Sequence, residues 1–206
     1  MLRKQGATPV VAPDADFVEY RSPGLQLVFE RIRALGKPSM LDLGPPLAAN
    51  VDFLSRYPCR IYIGDWLESL PRQDEPGSEP APPYCPVFGQ MLPFSAKERF
   101  DIIFCWDLLN YMNADSIRGL SRFLAGHCNA GALCFFSIMT QKSMPLRPCR
   151  YRIKAEDTLQ YQLLTSQQTA SPRFTQSRIL ELMPEFQIQR SFLLKTGSQE
   201  QVFRIR

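Results

Sequence analysis

Apolar positions along the chain follow two rhythms, one of period near 3.6 and one of unbroken short runs. Over residues 24–35, Leu25, Val28, Phe29, Ile32 and Leu35 recur at three- and four-residue spacings, which predicts an amphipathic helix ending near Gly36. Residues 39–43 form a short apolar strand closing on Gly44, and Leu47, Val51 and Leu54 then mark one face of a helix. Residues 60–63 read as a second strand that stops at Gly64-Asp65, with a helical turn expected over 66–70. The nearly continuous apolar run 100–106 has the pattern of a central strand covered on both faces. A helix over 114–124, a turn at Gly131 and a buried strand over 132–138 follow. Strand alternating with helix in this way predicts a largely parallel sheet.

Beyond Gln141 the rhythm changes. Tyr151 and Ile153, then Leu159, Tyr161 and Leu163, alternate about a polar Glu156-Asp157 turn, which predicts a β-hairpin within the segment 146–166, placed to act as a lid. Thr175 is set to cap a helix carrying Ile179, Leu180 and Met183, ended by Pro184, and strands over 186–194 and 201–205 close the chain. Two stretches lack periodicity. Residues 1–16 read as a flexible N-terminal arm and the proline-rich 71–86 as a surface loop, leaving 17–206 as one domain.

Composition narrows the function classes. The chain has 206 residues, 45% of them hydrophobic and 21% charged, enough for one well-formed core. Its single histidine excludes a histidine-rich metal site, and six scattered cysteines without a Cys-x-x-Cys pair read as reduced core residues, so no metal is expected. The net charge of +4 is concentrated beyond Gln141, without the clustered stripe or motif that would argue for nucleic acid. No run reaches the roughly 18 apolar residues of a membrane span. No signal-peptide pattern is read at the start, so cytoplasmic residence is the expectation.

Three local motifs, in order, carry a resemblance. Leu41-Asp42-Leu43-Gly44 is similar to the strand-to-helix turn of the class I S-adenosylmethionine-dependent methyltransferases, Leu92-Pro93-Phe94 before Phe100-Asp101 resembles that family's approach to its fourth strand, and Ile102 to Met112 resembles the strand, acidic residue and loop that follow. The resemblance implies a single doubly wound, mostly parallel seven-stranded sheet with an antiparallel C-terminal strand. It also implies S-adenosylmethionine as cofactor and methyl transfer to a small molecule or a protein.

Residue by residue, the resemblance assigns Asp42 and Gly44 to the cofactor's amino-acid end, Asp65 to its ribose, Phe88 to its adenine and Asp107 to the cleft, with Trp106 and Tyr111 lining a substrate pocket. Each has a plainer reading: Asp42 and Asp65 as helix caps, Asp107 as a loop carboxylate, Trp106 and Tyr111 as core aromatics. The chain also departs from the family's pattern. Pro46 and Ala48 stand where the second and third glycines are expected, and Phe88 where an acid contacts the adenine amino group. Proline fixes φ and donates no N–H, so the cofactor floor is altered. The alternative implied is a methyltransferase-fold protein that has lost the cofactor and serves as a partner-binding scaffold. His127 ends a helix on the amino side of the sheet, away from any strand-end cleft, and is a poor general base.

Overall fold

The computed structural model describes residues 17–66, 95 and 97–206. The N-terminal arm, the proline-rich loop 71–86, Phe88 and the Leu92-Pro93-Phe94 motif lie outside the described residues, as does all but the first residue of the turn expected at 66–70.

Strand β1 (Val18–Arg21) leads into helix α1 (Pro23–Leu35). Ser22 caps that helix by accepting from the Leu25 amide, Pro23 opens it with a preset φ, and Gly36 at φ 71° ends it. Then come β2 (Ser39–Asp42), the short α2 (Ala48–Leu54) and β3 (Arg60–Ile63), followed by β4 (Phe100–Trp106), a 3-10 turn (Leu108–Tyr111) and α3 (Ala114–Gly126). The rest of the chain is β5 (Cys128–Met139), β6 (Ser143–Pro145), β7 (Arg150–Ala155), β8 (Thr158–Gln162), β9 (Gln168–Ala170), α4 (Gln176–Leu182), β10 (Phe186–Leu193) and β11 (Ser198–Ile205). Thr175 caps α4 by accepting from the Arg178 amide.

The main sheet has the order β10-β11-β5-β4-β2-β3. Strands β3, β2, β4 and β5 are parallel; β11 runs antiparallel to both β5 and β10. This sheet has six strands among the described residues, where the resemblance implies seven. The orientation is mixed because β11 returns as a hairpin from β10, which can join the sheet only in reverse.

Side-chain alternation divides the core in two. Ile103, Cys105, Cys134, Phe136 and Phe203 face α3 and α4, while Ile102, Phe104, Phe135 and Val202 face α1 and α2. Each of the isoleucine, phenylalanine and valine side chains among these contributes about 1.5–3 kcal/mol of hydrophobic stabilisation.

The expected hairpin is present, and one pairing, that of β1 with β8, has no counterpart in the sequence pattern. β7 and β8 form a hairpin turning at Glu156–Asp157, and β1 pairs antiparallel with β8 to make a three-stranded sheet over the α1 side. The hairpin is joined to α2 by Asn50, whose Nδ2 donates to the Tyr151 carbonyl (2.9 Å) and whose Oδ1 accepts from the Ile153 amide (2.8 Å). One buried amide side chain thus imitates a strand partner along the edge of β7. No helix among the described residues is long and apolar enough to cross a membrane.

Candidate functional site

Parallel strands deliver their last residues to a common edge, where an open α/β sheet places its ligands. Asp42 ends β2 and is 3% exposed; its Oδ1 accepts from the Gly44 amide (2.8 Å) and from Trp106 Nε1 (2.6 Å). Burial pushes its carboxyl up to about 6, against the pull of those two donors, and the nearby charge of Asp65 adds to the rise. Asp65 follows β3, half-buried, on a segment tied to β2 by the Gly64 amide on the Asp42 carbonyl (2.8 Å) and the Trp66 amide on the Leu43 carbonyl (3.2 Å).

Trp106 decides the shape of this edge. It sits at φ 51°, in the left-handed region a large residue enters only at a cost, where the β4–β5 register slips. Its ring is 1% exposed, nearly parallel to Phe104 (5.2 Å, 13°) and Tyr151 (5.2 Å, 7°). The indole covers Gly44 so closely that a Cβ there would lie 2.7 Å from Nε1. Glycine is therefore required at 44 by the chain's own tryptophan.

Asp107, the next residue, points into a different space. It is 4% exposed; Oδ2 accepts from the Cys149 amide (2.9 Å), and Oδ1 has no hydrogen-bond partner. Burial lifts its carboxyl to about 7, eased by the Cys149 amide and by the thiol of Cys149 and hydroxyl of Tyr151 alongside. Asp107 lines a cavity of about 180 Å³ at the ends of β4 and β5 and the start of β11, walled by Tyr20, Tyr151 and Tyr161 from the three-stranded sheet. Asn110 braces its floor: Nδ2 donates to the carbonyls of Asp107 and Ser137 (3.0 Å each) and Oδ1 accepts from the Met139 amide (2.9 Å).

The structure thus brings Asp42, Gly44, Trp106 and Asp107 onto one edge, with Asp65 beside Asp42 and Phe88 outside the described residues. Two residues expected in a substrate pocket lie outside this cavity. Trp106 does not line the cavity around Asp107; it packs as core against Phe104 and Tyr151, because the left-handed turn at 106 swings its ring back over Gly44. Tyr111 does not line the cavity either. Its hydroxyl donates to the carbonyls of Pro145 (3.0 Å) and Arg147 (2.9 Å), which makes it a strut between the 3-10 turn and the strand that follows β5.

The plain capping role of Asp42 is absent: α2 has Leu47 at its N-cap, and no side chain caps it; the turn Asp65 would cap lies outside the described residues. Sequence reasoning missed Tyr20, Asn110, Cys149 and Tyr151. Alternation in the hairpin puts Tyr151 on the inward face with Ile153, yet nothing in that rhythm says what the face meets.

No protein-family model matches the sequence, and no curated protein is detectably similar to it. Solved structures are similar in fold. An S-adenosylmethionine-dependent methyltransferase from Clostridium acetobutylicum superimposes with a TM-score of 0.50 at 9% identity, over 88% of this chain and 90% of that one. The chain has the class I methyltransferase fold. The N-methyltransferase NodS of Bradyrhizobium japonicum is matched at 13% identity, TM-score 0.46, over 89% of this chain and 88% of that one. The amino pentose methyltransferase CalS10 of Micromonospora echinaspora is matched at 13% identity, TM-score 0.47, over 88% and 90%. At these identities the likeness concerns the methyltransferase fold alone.

Proposed function

We propose that this chain is an S-adenosylmethionine-dependent methyltransferase-like protein whose acceptor is a small molecule lodged in the cavity beside Asp107. The observation that carries the reading is the common edge: strand-end carboxylates at 42 and 65 and a cavity at the ends of β4 and β5, on a methyltransferase fold. Asp65 suits the ribose hydroxyls, for which a two-oxygen acceptor at a strand end is the fitting group.

The amino-acid end of the cofactor does not fit the residues as packed. Trp106 lies over Gly44 and holds Asp42 Oδ1, and Pro45 and Pro46 supply no N–H to a carboxylate. On this reading the cofactor's entry requires Trp106 to leave Gly44. The same packing favours a second reading, in which the fold keeps its small-molecule cavity or a partner surface and works without the cofactor.

Calorimetric titration with S-adenosylmethionine and its demethylated product separates the two. The first reading expects binding by the wild type, at least tenfold weaker in Asp65→Ala and tighter in Trp106→Ala, with folding of each checked by circular dichroism. No heat from wild type or from Trp106→Ala at millimolar ligand would overturn it in favour of the second.

A further inference from the structure

Burying a carboxylate without a counter-charge is costly, so such a group in a native fold calls for an explanation. Asp107 is such a group. Among the described residues Oδ1 has no hydrogen-bond partner, and none of those lining the cavity is lysine, arginine or histidine. Glu200, buried on β11, is held by the Ser22 hydroxyl (2.5 Å) and the Gly24 amide (2.8 Å) and interacts with Tyr20, so a second carboxylate stands behind the aromatic wall.

Three tyrosines line the walls: Tyr20 and Tyr161 meet edge-on at 6.0 Å, and Tyr151 stacks on Trp106 with its hydroxyl toward Asp107. Ring faces attract a cation, and a low local dielectric strengthens that attraction over several ångströms. At about 180 Å³ the cavity lies below the roughly 300–1,000 Å³ of ordinary ligand sites, which excludes a peptide or a nucleotide.

We propose that the cavity binds a small organic ammonium ion, held by the Asp107 carboxylate at its floor and the rings of Tyr20, Tyr151 and Tyr161 on its walls. The proposal rests on the acceptor-cavity half of the reading above and is independent of the cofactor. A cation explains what the described residues leave unbalanced: the unpartnered oxygen, the absence of basic groups among those lining the cavity and the concentration of tyrosines around one carboxylate. A neutral alcohol of the same shape fills the same volume but leaves the charge uncompensated. An anion is repelled by both carboxylates.

The test uses the full chain at pH 8, where Asp107 is ionised, and two probes of matched shape, cyclohexylammonium and cyclohexanol, titrated with ligand-observed NMR. The expected result is binding of the ammonium at least tenfold tighter than of the alcohol. Asp107→Asn, whose amide oxygen still accepts from Cys149, abolishes that preference. Tyr161→Leu, at a half-exposed position, weakens the ammonium several-fold and leaves the alcohol unchanged.

Equal binding of both probes, binding of neither, or an ammonium preference that survives Asp107→Asn would overturn the proposal. The wild-type comparison stands even if a variant fails to fold. Failure of S-adenosylmethionine binding alongside a retained ammonium preference overturns the cofactor reading alone, and the reverse pattern overturns this one alone.

Discussion

Replacing Trp106 with phenylalanine keeps a ring between Phe104 and Tyr151 and deletes the N–H that meets Asp42, so its cost should depend on pH. The wild-type carboxyl is raised from 3.8 to about 6 by burial, and the Trp106 hydrogen bond opposes that rise. A carboxyl raised in the fold contributes stability that is fully present below its unfolded value and lost as pH climbs through its folded value. Without the indole donor the folded value rises further, and the variant goes on losing stability after the wild type has stopped.

At pH 4.5 Asp42 is largely protonated in both folded proteins, so the variant chiefly loses the buried atoms of the second ring, about 1–2 kcal/mol. At pH 8 Asp42 is ionised, and the lost bond to a charged acceptor adds about 1.5–3 kcal/mol. The added part corresponds to one or two units of further rise at about 1.4 kcal/mol per unit. Urea unfolding of wild type and variant at pH 4.5, 6 and 8 reads this directly as a widening gap between midpoints at constant slope. Taking the difference cancels Asp107 and Glu200, which titrate in both proteins. A gap that is equal at pH 4.5 and 8, or that narrows as pH rises, would refute the account of the Asp42–Trp106 pair.

Two further substitutions probe what positions the site. Asn50→Ala removes both hydrogen bonds to β7, leaving the Ile153 amide without its partner; it should cost about 2–3 kcal/mol and speed hydrogen exchange at that amide well beyond its effect in the main sheet. Unchanged exchange at Ile153 would show that the hairpin is held by packing alone. Ser22→Ala deletes the cap of α1 and a donor to Glu200, so thermal unfolding should reveal a loss of about 1–3 kcal/mol, with Glu200→Gln costing less because an amide still satisfies one of the two donors. Equal and negligible effects in both variants would remove Glu200 from the structural account.

Much of this architecture is written in local pattern. The amphipathic stripe of α1 with its serine, proline and glycine punctuation, the unbroken apolar run of β4 and the threonine cap of α4 each depend on neighbours a few residues apart. Such signals survive in a single sequence because the periods of helix and strand are fixed by backbone geometry. The same locality gave the positions of Asp42, Asp65 and Asp107, since a residue ending a parallel strand must reach the sheet's carboxyl edge.

What each side chain does there depended on contacts across long separations. Trp106 meets Asp42 and Gly44 from 64 and 62 positions away, and only a left-handed turn at the end of β4 sends its ring to cover them rather than into the cavity. Asp107 acquires its character from Cys149 and the tyrosines of a separate small sheet, which forms because β1 pairs with β8 far along the chain. Sequence by itself determined the helices and main-sheet strands, though not β1, β6 or β9, and which carboxylates would meet at one edge. Only the tertiary structure decided that one of them is closed by an indole and another left with one oxygen unpartnered in a cavity, because burial and partnership are properties of the packed chain and no local period encodes them.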